Sequence, residues 1–266
     1  MTIRPRALLA RLDGLAWLSM AAFMAYLVLA GDYWHYLNPK FKPLTLSAAV
    51  VLAALAVWAL LRPVAKPSVA RSLAYLALAA MVAISQNWLP FSAASPDFDV
   101  FALPPRLPAP PKPAPAPTRM TVDGKVYIPI NTVELLDLAH NKPAGKWTLA
   151  YAMRGFVKRD PVLDAKGEFV LWRLAIWCCF ADSTATGFKV KLPPGTPLPP
   201  DNSWQVAYGH LAAMPEDQRG AYAPPGMSFT SISPDALFVA DRVAPATVEP
   251  EEVCLFQWRS AEPYNY

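Results

Sequence analysis

The sequence predicts a two-part architecture: an N-terminal α-helical transmembrane segment of three helices, then a C-terminal mainly-β domain folded as a small barrel. Three observations carry this expectation. Apolar residues make up 54% of the 266 and charged residues 17%, and the apolar excess gathers near the N-terminus, beyond the composition of an ordinary soluble domain. A proline-rich stretch follows. After it, short β-branched and aromatic runs alternate with Gly, Pro and Asp clusters, the pattern of successive strands and turns.

Three uncharged segments, 14–30, 44–61 and 73–91, each approach the roughly 20 residues needed to cross a hydrocarbon core. Arg4, Arg6 and Arg11 precede the first, which ends in small residues, so a cleaved signal peptide is the alternative reading; two further apolar segments directly behind it argue against cleavage. Residues 1–94 carry 8 Lys/Arg against 2 Asp/Glu, whereas residues 95–266 carry 16 against 18. A basic excess confined to the membrane-proximal third reads as topology, not as a nucleic-acid surface. Arg62, Lys66 and Arg71 in the second loop outweigh Lys40 and Lys42, offset by Asp32, in the first. The expected arrangement is therefore a multi-pass cell (inner) membrane protein with a cytoplasmic N-terminus and an extracytoplasmic C-terminal domain. Tyr33, Trp34, Tyr36 and Trp88 suit an interfacial aromatic belt, which also accounts for His35 without a ligand role.

Between Ser95 and Thr118, prolines at 96, 104, 105, 108, 110, 111, 113, 115 and 117 favour an extended polyproline II stalk rising about 3.1 Å per residue. The expected β-rich domain spans 119–266. Its strand candidates are 126–130, 147–157, 169–180, 187–192, 203–213, 227–232 and 237–240, with a short helix at 132–140 stopped before Pro143. No GxGxxG or GxxxxGK[ST] sequence occurs, which removes the phosphate-loop classes.

The chemistry concentrates in Phe169–Asp182, FVLWRLAIWCCFAD. As a continuous strand it divides by parity: Val170, Trp172, Leu174, Ile176, Cys178 and Phe180 on a wholly apolar face, Phe169, Leu171, Arg173, Ala175, Trp177 and Cys179 on a mixed one. That division sends Cys178 to the core and Cys179 to the face that would bind. Thiolates with a neighbouring carboxylate suit a soft or borderline ion such as Zn²⁺ or Cu⁺, so Cys179, Asp182 and Cys178 form a candidate metal set. Both cysteines reach one ion only if the strand breaks there. The alternatives are a buried Cys178 with Cys179 packed under Trp177, an Asp182 that caps a turn with Ser183 and Thr184, and a vicinal disulfide. Such a disulfide would be strained, because adjacent Cα atoms lie about 3.8 Å apart. Arg173 suits an anion, a thiolate or a buried acidic partner, and Cys254 is a core residue or a partner of the pair. His140 and His210 are the remaining histidines, and nothing in the sequence brings them near.

Three features together resemble the DUF1980 family of bacterial membrane proteins: Gly31–Phe41 (GDYWHYLNPKF); Gly155-Phe156-Val157 followed by Arg173 and Cys178-Cys179-Phe180-Ala181-Asp182; and the terminal Pro263-Tyr264-Asn265-Tyr266. The longer proline stalk and Ser183-Thr184 depart from that pattern. The resemblance implies an outer domain that is OB-like and a role as accessory subunit to a polytopic permease of the YraQ/YcgR type, in zinc-linked settings in some bacteria. The expected function is thus a permease subunit whose outer domain presents or gates a solute or metal ion, with zinc the candidate cofactor. A free-standing membrane-anchored zinc-binding protein and a membrane-tethered thiol-redox protein are the alternatives. No Ser/His/Asp order, HExxH or carboxylate pair supports an enzyme.

Overall fold

The computed structural model describes residues 5–30, 33, 37–62, 70, 73–75, 77, 80, 118–142, 145–247 and 253–266. The chain divides into two compact units, Met1–Phe91 and Ser92–Tyr266.

In the first unit, helix α1 (Pro5–Ala30) and helix α2 (Lys42–Leu61) pack on each other, joined through a 3-10 turn at Pro39–Phe41 that Asn38 caps by accepting from Lys40 N at 3.1 Å. Small residues permit the approach: a Cβ on Gly14 would meet Leu60 Cγ at 2.8 Å and Ala56 O at 3.1 Å, and Ala21, Ala49 and Ala56 are buried. Tyr33, also buried, bonds Thr45 Oγ1 at 2.6 Å through its hydroxyl. The outward side chains, among them Leu29, Leu61 and Trp58, remain exposed and apolar. Among the described residues one helix, Pro39–Leu61, is long and apolar enough to cross a membrane, and Gly14–Leu29 is a shorter apolar helix. This corrects the expectation of three spans, since a span needs an unbroken apolar helix. The third segment, 73–91, lies mostly outside the described residues, as do Trp34, His35, Tyr36, Trp88 and the proline stretch as far as residue 117.

The second unit is a strand-built domain. Its elements are β1 (Met120–Val122), β2 (Lys125–Pro129), α3 (Thr132–Asn141), β3 (Tyr151–Lys158), α4 (Pro161–Asp164), β4 (Glu168–Ala175), β5 (Thr184–Lys191), β6 (Trp204–Ala213), β7 (Thr230–Ile232), β8 (Ala236–Pro245) and β9 (Cys254–Leu255). Five strands close into a ring in the order β3-β6-β8-β5-β4, sealed by β3 against β4. All neighbours in it are antiparallel except β5 and β8, which run parallel. Closure removes the free edges that an open sheet would present. The β1–β2 hairpin extends the sheet beside β3, β9 beside the end of β4, and β7 beside the start of β5.

The core inside the ring includes Met153, Val157, Phe169, Leu171, Phe188, Val190, Ala207, Leu211 and Phe238. Helix α3 adds Leu135, Leu138 and Ala139, its first turn capped by Asn131, which accepts from Glu134 N at 3.0 Å. Tight coiling around β4 depends on two glycines. A Cβ on Gly155 would stand 2.5 Å from Trp172 O, and one on Gly187 2.2 Å from Leu171 O.

Candidate functional site: the thiol turn

Strand β4 ends at Ala175, five residues short of the expected Phe180. Ile176 N donates instead to Leu255 O of β9 at 2.9 Å, and the chain then turns. The turn is organised by Asp182: its carboxylate accepts from Trp177 N at 3.1 Å and Cys178 N at 2.7 Å, while Asp182 N donates to Cys179 O at 3.1 Å. An acidic side chain that takes backbone N–H groups in this way competes with the strand ladder and wins where the ladder is already ending. Asp182 therefore caps the turn before it, with Thr184 Oγ1 reaching only its backbone carbonyl at 3.5 Å.

Two corrections follow. Parity does not separate the cysteines, because the pleat stops before them; both are half-buried, with Cys178 Sγ 3.6 Å from Cys179 Sγ. The parity faces are also reversed, since Phe169 and Leu171 join the principal core while Val170, Trp172 and Leu174 are buried on the other side. A strand covered on both faces carries no polarity that would tell inside from outside.

All three cysteines are free thiols. The Cys178 thiol is pushed up to about 11, first by its hydrogen bond to Asp182 and then by Cys179. Burial pushes the Asp182 carboxyl up, but the Cys178 thiol and the N–H groups of Cys178, Trp177 and Cys179 outweigh it and hold it below the ordinary carboxylate range. Cys254 lies in β9, opposite Leu174, and burial raises its thiol to about 12 against the pull of Arg173. Beside the turn, Trp177 is 62% exposed and its ring lies 5.2 Å from that of Trp258.

The other motif residues are structural. Arg173 is buried, its guanidinium 5.5 Å over the Trp204 ring and its carbonyl accepting from Thr186 Oγ1. Phe156 packs between Trp172 and Trp204, with centroids at 5.8 and 4.8 Å. Tyr264 enters the core, and Tyr266 lies under Arg154, which is 4.4 Å over its ring and donates to its backbone oxygen at 2.6 Å. Buried Glu134 holds this terminus by accepting from Arg259 N at 2.6 Å and Asn265 N at 2.9 Å. His140 sits in the last turn of α3 and His210 on β6. Among the described residues, no group of three or more His, Cys, Asp and Glu is placed to hold a metal ion. The thiol turn brings two sulfurs together, 3.6 Å apart.

A second polar group went unread in the sequence. Lys189, on β5, is 6% exposed; its ammonium donates to Gln218 O at 3.3 Å and lies 4.7 Å over the Tyr222 ring. Tyr222 donates to Asp160 Oδ2, and Asp160 Oδ1 accepts from Val162 N at 2.9 Å. Burial pulls the Lys189 ammonium below the ordinary lysine range, against the nearby Glu168. A lysine alternating with apolar neighbours in GFKVKL was the only local signal.

The chain thus combines an apolar helical unit with a closed β-barrel that carries a half-buried pair of thiols. Two family models match the chain, the DUF1980 N-terminal domain over residues 12–75 and the DUF1980 C-terminal domain over residues 114–233. The chain belongs to the DUF1980 family. No curated protein matches it.

Proposed function

We propose that this protein is a non-catalytic accessory subunit of a membrane permease, whose OB-like outer domain presents or gates a solute or metal ion, zinc first among them. The observation that carries the reading is the thiol turn. Two sulfurs 3.6 Å apart nearly match the edge of a tetrahedral site, about 3.8 Å for metal–sulfur bonds of about 2.3 Å. A linear ion such as Cu⁺ would need them about 4.6 Å apart with the same bonds. Binding follows M²⁺ + 2 RSH → M(SR)₂ + 2 H⁺, with the remaining positions filled by solvent, by Asp182 or by a partner. A site so incompletely filled by its own chain suits presentation better than storage.

The ring order supports the OB-like reading: in chain order its strands run first-second-third-fifth-fourth, with the third and fifth parallel. An outer position for the barrel goes with a cytoplasmic N-terminus and an odd number of spans, such as the one long apolar helix Pro39–Leu61 supplies. A polytopic permease of the YraQ/YcgR type is the proposed partner, docking beside α1 and α2, whose outward residues are apolar.

The test is gentle detergent purification of the full chain from its own cells, with partner identification, zinc content and thiol count. The reading expects a co-purifying multi-span protein and one zinc per chain, lost in Cys179→Ser. Zinc without a partner points to the free-standing metal-binding protein. Reversible loss of two thiols on mild oxidation, without zinc, points to the thiol-redox protein.

A further inference from the structure

The carboxylate of the thiol turn is already spent on the backbone. Asp182 Oδ1 accepts from Trp177 N at 3.1 Å and Oδ2 from Cys178 N at 2.7 Å, so both oxygens hold the turn in shape. Among the described residues no group of three or more His, Cys, Asp and Glu could hold an ion, and the remaining thiol, Cys254, is buried in β9 opposite Leu174. What the turn offers is a preset pair: Cys178 Sγ and Cys179 Sγ, 3.6 Å apart and both half-buried.

Ligand count then sorts the thiophiles. A tetrahedral dication wants four ligands and meets two. A linear ion wants its sulfurs about 4.6 Å apart. A soft, trivalent, pyramidal centre that already carries one carbon substituent wants two thiolates and no more. With bonds of about 2.3 Å at an angle of about 100°, its sulfurs stand about 3.5 Å apart. Distance excludes the linear ion, and the number of ligands separates the pyramidal centre from the tetrahedral one.

We propose that the thiol turn binds monosubstituted arsenic(III) compounds, R–As(OH)₂, as a chelate through Cys178 Sγ and Cys179 Sγ. The step is R–As(OH)₂ + 2 R′SH → R–As(SR′)₂ + 2 H₂O. Two As–O bonds break, two As–S bonds form, each thiol proton leaves in a water molecule, and arsenic stays trivalent, so no oxidant or reductant is needed. The product is neutral and its coordination is complete, which leaves Asp182 free to keep its two N–H groups. Trp177, the residue before the pair, is 62% exposed with its ring 5.2 Å from that of Trp258, and gives the organic substituent an apolar surface at the turn. The inference rests on the thiol turn being the binding site of the proposed function and deepens it by naming the class of solute.

The probe is phenylarsonous acid, the form that phenylarsine oxide takes in water, added to the full chain in detergent micelles. Wild type and Cys254→Ser should each take up one phenylarsenic group and lose two thiols, by intact mass and thiol titration, and keep the group in a molar excess of zinc. Cys178→Ser and Cys179→Ser leave the backbone bonds to Asp182 in place and should bind about a hundredfold more weakly, since the second bond is lost. Cells carrying wild type and cells carrying both serine substitutions should differ in cell-associated arsenic after exposure to the probe. Equal binding by the single-serine variants overturns the chelate. Displacement of the probe by equimolar zinc overturns the inference and leaves the zinc reading standing. Probe held by a chain that comes from its cells without zinc removes the zinc reading and supports this one. Equal arsenic in the two kinds of cell overturns the assignment of the solute.

Discussion

Asp182 shows how one carboxylate redirects a strand. By accepting from Trp177 N and Cys178 N it ends the pleat that the apolar run FVLWRLAI begins, and so brings Cys178 Sγ to within 3.6 Å of Cys179 Sγ. The same carboxylate keeps Cys178 protonated. With the thiol at about 11, its alkylation by iodoacetamide should rise about tenfold per pH unit from pH 7 to 10, because the thiolate reacts. Asp182→Asn removes the largest cause of the shift and should speed the reaction severalfold at pH 8, read by mass spectrometry of the peptide. Glu134 poses the opposite case. Burial raises its carboxyl above the ordinary value against N–H bonds from Asn265, Arg259 and Asn131 that lower it. A carboxyl whose folded pKa exceeds its unfolded one stabilises below the unfolded value and loses that contribution as pH rises through the folded one. At pH 7 Glu134→Gln should therefore unfold close to wild type, whereas Glu134→Ala, which strands the Arg259 and Asn265 N–H groups, should cost about 2–3 kcal/mol. Thermal melts of the pair check the contrast.

Among the elements, β4 is the one that the others coil around. Gly155 on β3 and Gly187 on β5 approach its backbone so closely that a methyl group would collide with a carbonyl oxygen, which unlike a flexible side chain cannot move aside. Gly155→Ala should destabilise the barrel by about 1–3 kcal/mol, measured by urea unfolding followed at the β-sheet circular dichroism band. Helix α3 was legible beforehand because its apolar residues keep helical spacing and Thr132 starts it; the Asn131 cap emerged only in the structure. β1, α4 and β9 were not legible. Segments of three, four and two residues are too short to show a period, and β9 exists because the end of β4 offers it an edge.

At the scale of the molecule, the proposed topology makes a direct demand on the thiol turn. Cys254 is 4% exposed, whereas Cys178 and Cys179 are half-buried on the surface. In intact cells stripped of their outer barrier, a membrane-impermeant maleimide at pH 8 should label the pair and leave Cys254 unmodified. Labelling only after the membrane is permeabilised would put the barrel on the cytoplasmic side and remove the accessory role outside it.

Composition and order along the chain determined the division into an apolar helical region and a strand-rich domain, and the motifs GFV, CCFAD and PYNY placed it in its family. These are local properties: periodicity, charge and residue identity survive without three-dimensional context. Tertiary structure decided which face of β4 is the interior, where the strand stops, and that Arg173, Tyr264 and Tyr266 serve packing. It alone joined Lys189 to Gln218 and to Tyr222, some 30 residues away. Barrel closure sets those outcomes, because a strand buried on both faces looks the same from either side until its neighbours are in place.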